Sequence, residues 1–176
     1  NISFEHTFRN VNADHDFYLS ANEVSSDKYL LRVMPKPALM GFRIKLDYPE
    51  YTDLKDEELN NLGDLTLPEG TKAEWSFMTK NTNQINLHFP DSLFVLSPFG
   101  QNKFSHTQQF FKSCSYSIST QNDYITNNDS IAYALNVIKD VSPSINVDEK
   151  LDSGNIFVHY FNGEIADDYG FTHLVF

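Results

Sequence analysis

Apolar and polar residues alternate one for one in run after run of this chain, as in Thr71-Lys-Ala73-Glu-Trp75-Ser-Phe77 and Ile85-Asn-Leu87-His-Phe89. Successive strand side chains point to opposite faces, so each run makes one apolar face and one wetted face. Such faces have to be buried against each other, which calls for packed sheets. On this pattern strands are predicted over 39–47, 64–67, 71–79, 84–89, 93–96, 104–111, 116–120 and 131–138, with Gly, Pro, Asn and Asp turns between them. With 40% apolar and 14% aromatic residues there is material for a core. One segment departs from the alternation. Residues 52–63 carry acidic residues early and Gly63 last, which predicts a short helical turn on the surface.

Two local patterns narrow the fold class. Asp129-Ser-Ile-Ala-Tyr133-Ala-Leu135-Asn-Val137 sets a tyrosine two residues ahead of a buried-type position, and the Pro68-Glu69-Gly70 turn feeds the alternating run that reaches Phe77. Immunoglobulin-like sandwiches carry a tyrosine corner and a B strand of this form. The expected fold is therefore all-β, an immunoglobulin-like β-sandwich, with Phe77 and Leu135 as apolar substitutes at its two disulfide positions.

The chain also echoes itself. Phe4-Glu-His6-Thr7 returns as Phe104-Ser-His106-Thr107, Phe17-Tyr-Leu19 as Tyr116-Ser-Ile118, and Tyr29-Leu-Leu31-Arg-Val33 as Tyr133-Ala-Leu135-Asn-Val137, in order and about one immunoglobulin-like domain apart. Ile85-Asn-Leu87-His-Phe89 has a fainter echo in Thr172-His-Leu174-Val-Phe176. Prolines 35, 37 and 143 mark the boundaries, since proline fixes the backbone and cannot extend a sheet. The expected organisation is one complete module, residues 38–142, flanked by partial ones. Residues 1–37 supply the C-terminal strands of a preceding module, over 3–9, 15–21 and 28–34. Residues 143–176 supply the first three strands of a following one.

Tyr48-Pro-Glu-Tyr51-Thr52, Gly63-Asp64-Leu65, Leu67-Pro68-Glu69-Gly70-Thr71 and Ala166-Asp167-Asp168-Tyr169-Gly170 together resemble a family. It is that of the large membrane-anchored proteins of Bacteroidota that carry serial immunoglobulin-like modules outside the cytoplasm. The resemblance runs from about Tyr29 onward. It implies an extracytoplasmic location, in the periplasm or cell envelope, and a parent anchored through membrane segments outside this sequence. It implies no activity and no catalytic residue.

The net charge of −11, with 13 Lys and Arg, repels phosphate backbones and anionic membrane surfaces, so nucleic acid is not an expected partner. Protein partners or self-association are expected instead. Partial modules expose strand edges that pair with other chains, which predicts a strand-exchanged dimer or an open chain.

Candidate chemistry is sparse. The acidic pairs Asp14/Asp16 and Asp167/Asp168, with Asp140 by Pro143, raise the question of calcium, but calcium needs six to eight oxygens and turn carboxylates explain them more simply. Six histidines show no i, i+4 pairing, and the single Cys114 lies between serines with no patterned base, so neither a metal, a cofactor nor a thiol nucleophile is expected. Glycoside-hydrolase carboxylates need not be close in sequence, which leaves Glu74 and Asp91 as remote candidates. The expected function is a non-enzymatic spacer, scaffold or protein-docking segment. The alternative is a glycan-binding module that presents Tyr48 and Tyr51, two aromatics flanking a proline, to sugar faces.

Overall fold

The computed structural model describes residues 3–100, 102–151, 153–155, 157–171 and 173–175. Short ladders come first: β1 (His15–Phe17) pairs β4 (Tyr29–Leu31), and β2 (Ser20–Ala21) pairs β3 (Val24–Ser25), all antiparallel. The main body follows in β5 (Ala38–Asp47), β6 (Glu57–Asn60), β7 (Leu65–Pro68), β8 (Lys72–Lys80), β9 (Gln84–Phe89), β10 (Ser92–Leu96), β11 (Lys103–Gln109), β12 (Cys114–Gln121) and β13 (Thr126–Ile138). A hairpin of β14 (Ser144–Leu151) and β15 (His159–Ala166) closes the series.

The body is an all-β sandwich. One sheet has the order β11-β8-β5-β6 and the other β10-β9-β12-β13-β7. All neighbours run antiparallel except β7, which lies parallel to β13 with Leu65 opposite Leu135 and Leu67 opposite Val137. Pro68 ends this edge strand, where a missing donor costs no ladder bond.

Alternation dictates the core. Phe42, Ile44 and Leu46 of β5 face the same interior as Ala73, Trp75 and Phe77 of β8, their cross-strand partners. Ile85, Leu87, Tyr116, Ile118 and Leu135 answer from the other sheet, and the two faces form one continuous buried cluster. Trp75 is its centre, with ring centroids 5.6 Å from Tyr116, 5.8 Å from Phe110 and 6.4 Å from Phe89.

Each strand expected within residues 38–142 forms, and three expectations are corrected. Residues 52–63 do not make a helical turn. A 3-10 turn covers only Glu50–Thr52, and β6 follows. β6 is locked to β5 by Asn61, whose φ of 55° turns the chain back so that its side-chain oxygen accepts from Phe42 N at 2.9 Å and its own N–H donates to Phe42 O at 2.9 Å. Second, residues 3–9 form no strand, because no neighbouring strand pairs with them as β8 pairs with Phe104–Thr107 of β11. After residue 143 two strands are found among the described residues. The proposed third strand, 172–176, includes Thr172 and Phe176, which lie outside the described residues.

The third correction concerns the tyrosine. Tyr133 lies on the last strand of the sandwich, β13, directly opposite Tyr116 of β12. Tyr116 is the buried one, and its hydroxyl donates to Gly63 O at 2.7 Å. Leu135 is fully buried as expected, but its neighbour across the ladder is Cys114. Both strands carry Tyr-x-apolar at period two, so pattern alone does not tell which tyrosine makes the buried bond.

Candidate functional site

Of the aromatics expected to be exposed, Tyr51 is exposed but Tyr48 is half-buried against the core; both sit where β5 ends and the 3-10 turn begins. Pro49 precedes that turn, the Thr52 hydroxyl donates to Pro49 O at 2.8 Å, and Asp53 closes it in the left-handed region. This fixes Tyr48 and Tyr51 on a rigid corner, but both phenols are engaged. Tyr48 donates to the carboxylate of Glu57 on β6, and Tyr51 donates to Glu69 O at 2.6 Å. The Tyr51 ring meets Tyr169 edge-on, 5.0 Å between centroids.

That contact joins the sandwich to the turn after β15. Glu69 pairs with Lys139 at 2.6 Å, and the same ammonium donates to Phe111 O at 2.6 Å. Val141 N donates to Asp168 Oδ2 at 3.3 Å. Asp167-Asp168-Tyr169-Gly170, with Gly170 at a φ of 87°, thus does more than turn its own strand: it clasps the linker that follows β13.

Electrostatically this corner is acidic. Desolvation, then Asp168, Asp167 and Glu69, push Asp140 above the usual carboxylate range, whereas the Lys139 hydrogen bond holds Glu69 below it. Burial, followed by nearby carboxylates, raises both Tyr51 and Tyr169, and burial followed by Glu57 raises Tyr48, so all three phenols stay protonated donors. Chemically the corner offers ring edges and negative charge, the Tyr48 and Tyr51 hydroxyl protons being already donated within the fold.

The other candidates are dispersed. Glu74 points outward from β8 and Asp91 lies in the β9–β10 turn of the opposite sheet, so they do not converge. Asp14 accepts Val33 N at 2.7 Å and so fixes the leading segment locally. Among the described residues no group of three or more His, Cys, Asp or Glu is placed to hold a metal. Cys114 is half-buried on β12, and burial pushes its thiol up, away from the reactive thiolate. His6 and His106, equivalent in the sequence echo, both pack on phenylalanine: His6 on Phe8 at 4.7 Å and His106 on Phe94 at 4.2 Å.

His106 carries a consequence for pH. It lies opposite Trp75, and neither His106 Nε2 nor Trp75 Nε1 has a hydrogen-bond partner. Burial lowers the His106 pKa below 6.5. The unfolded chain therefore takes up a proton before the folded one does. The neutral form's contribution is intact above pH 6.5 and is lost progressively as pH falls through that value toward the lower folded pKa. Urea midpoints are expected to fall more steeply with acidification in the parent protein than in His106→Leu. Parallel pH profiles would contradict this.

Sequence reading missed Tyr116, Tyr169 and the Glu69–Lys139 pair, since their partners are brought together only by the fold. Comparison of the chain with family models, curated proteins and solved structures finds no match.

Proposed function

We propose that the chain is a non-enzymatic, extracytoplasmic segment of an array of immunoglobulin-like sandwiches that serves as spacer, scaffold or protein-docking surface. One observation carries the reading. The residues that echo each other in sequence also pair alike: Phe17 of β1 lies opposite Tyr29 of β4 with rings 5.4 Å apart, and Tyr116 of β12 lies opposite Tyr133 of β13 with rings 5.5 Å apart. Echoed residues thus become cross-strand partners in both ladders, although the connecting chain is longer between Tyr116 and Tyr133 than between Phe17 and Tyr29.

On this reading residues 1–37 end one module, 38–142 form the next and 143–176 begin a third. The parallel β7–β13 pairing at a sheet edge supports the immunoglobulin-like assignment, and β12–β13 are then its last two strands. The interior of the sandwich is filled by side chains, which favours a role for its surfaces and ends. Location and an anchored parent rest on the family resemblance described above.

The reading is tested against glycan recognition on a glycan array. The expected result is that no glycan is bound in a manner abolished by Tyr51→Ala. A specific glycan signal lost in that variant would replace docking by sugar recognition through the Tyr48–Tyr51 corner.

A further inference from the structure

The β14–β15 hairpin is amphipathic in a way its present surroundings do not use. Ile145 lies opposite Ile165 and Val147 opposite Gly163, so these residues share one face. With Leu174 and Val175 they line an open apolar groove of about 480 Å³. The other face carries Asn146, Asp148, Lys150 and Glu164. Ile145 and Val147 remain more than half exposed, and a two-stranded ribbon alone is marginal in water.

The molecule contains its own template for what covers such a face. In the central sandwich β5 and β8 pair antiparallel, as β14 and β15 do, and the tyrosines of β12 and β13 lie across them, Trp75 to Tyr116 at 5.6 Å and Phe42 to Tyr133 at 5.7 Å. The leading hairpin reproduces β12–β13 at Phe17 and Tyr29. It too displays apolar surface, including Phe4, Leu19 and Val24 around a second open groove.

The two hairpins of one chain leave from opposite ends of the sandwich. The leading segment is tied at the start of β5, where Asn122 Nδ2 donates to Pro35 O at 2.8 Å and Lys36 pairs with Asp129 at 3.1 Å. The trailing hairpin is tied at the far end, beside Tyr51 and Glu69. The ten residues of β5 separate those ends by roughly 33 Å.

We propose that the apolar face of the trailing hairpin docks the leading hairpin of a second copy of this chain, head to tail. The inference rests on the module reading above and extends it to self-assembly. The six large apolar side chains that line the trailing groove are exposed, as are Phe4, Leu19, Val24 and Tyr29 of the leading segment; at on the order of 100 Å² each they bury roughly 1,000 Å², about the size a specific interface needs. A head-to-tail contact closes into a ring or grows into an open chain, according to the rotation it imposes.

The test is light scattering after size exclusion over a wide concentration range, on the full chain and on Val147→Asp and Tyr29→Asp. The parent is expected to rise above its 20.2 kDa monomer mass with concentration, and each variant alone to stay at that mass. An equimolar mixture of the two is expected to recover a dimer, since one variant keeps its head and the other its tail. Trp75 fluorescence, which reports the central sandwich, controls for folding. A parent monomeric at every concentration overturns the proposal, and so does Tyr29→Asp associating as the parent does, which would mean tail-to-tail contact. Either outcome leaves the module reading standing. That reading falls separately, if residues 38–142 prepared alone do not fold.

Discussion

Trp75→Ala is expected to lower the melting temperature of the sandwich by roughly 15–30 °C. Trp75 is fully buried at the meeting point of the two sheets, and its ring touches side chains from β9, β12 and the segment after β11. Truncating a buried tryptophan removes its transfer free energy and leaves a cavity that the rigid sheets on either side cannot close, together about 3–5 kcal/mol. For a domain of this size each kcal/mol shifts the midpoint by about 4–8 °C. Total stabilities are about 5–15 kcal/mol, so a substantial unfolded population is expected even at moderate temperature. Trp75→Phe keeps most of the ring and removes the unpartnered indole N–H. It is expected to cost far less, and thermal unfolding followed by circular dichroism compares the two. The indole lies close enough to the Tyr116 hydroxyl to oppose the burial that raises its pKa, yet it falls short of hydrogen-bond geometry, which is why Phe is a fair replacement. A Trp75→Ala midpoint within about 5 °C of the parent would remove Trp75 from the centre of the core.

The second large effect is expected from the smallest substitution. A Cβ added at Gly63 would lie 2.3 Å from Cδ1 of Tyr133, a distance no side chain tolerates. The Tyr133 ring has little freedom to retreat, because it is held between Tyr116 at 5.5 Å and Phe42 at 5.7 Å. The backbone would have to move instead, and Gly63 O is the acceptor of the buried Tyr116 hydroxyl. The next residue is tied as well, since Asp64 Oδ1 accepts Ala134 N at 2.7 Å. Overpacking of this kind costs about 1–3 kcal/mol, and losing the buried hydrogen bond adds about 1 kcal/mol. Gly63→Ala is therefore expected to destabilise by about 2–4 kcal/mol in urea unfolding. The cause is tested by combination with Tyr133→Ala, which removes the obstructing ring. The double variant is expected to be more stable than the sum of the single effects allows, and strict additivity would contradict the steric explanation.

These two residues also mark what was legible in advance. Trp75 is in phase with Ala73 and Phe77, so its burial follows from period two alone, and the same periodicity located every strand from β7 to β13 as well as β5. β6 left no such trace. It has four residues, Glu57-Glu-Leu-Asn60, of which only Leu59 turns toward the core, and it is held by its backbone ladder to β5 and an Arg43–Glu58 ion pair. An edge strand with one inward residue carries no periodic signal. Gly63 read only as a helix stop, because the ring that forbids a Cβ there comes from 70 residues further on.

The candidate site divides in the same way. The Tyr48-Pro-Glu-Tyr51 corner was visible as an aromatic pair around a proline, but its partners were not. Tyr169 and Glu69 reach Tyr51 only through tertiary folding, so Tyr51 becomes part of a clasp between the sandwich and the trailing hairpin, while Tyr48 is tied to Glu57 inside the sandwich. The leading segment is a similar case. Its β1 and β4 are three residues each and mostly exposed, and the echo of residues 116–137 marked Phe17 and Tyr29 as equivalents of Tyr116 and Tyr133 without saying that each pair lies opposite across a ladder.

Segment-resolved hydrogen exchange on the 176-residue chain, diluted until monomeric, tests the central claim most directly. That claim is a self-sufficient sandwich flanked by hairpins belonging to neighbouring modules. The account predicts strong protection across β5 and β7–β13, exchanging only through global unfolding, with β1–β4 and β14–β15 exchanging orders of magnitude faster. Equal protection of the flanking hairpins in the monomer would mean that all three parts are one cooperative unit, and would contradict it.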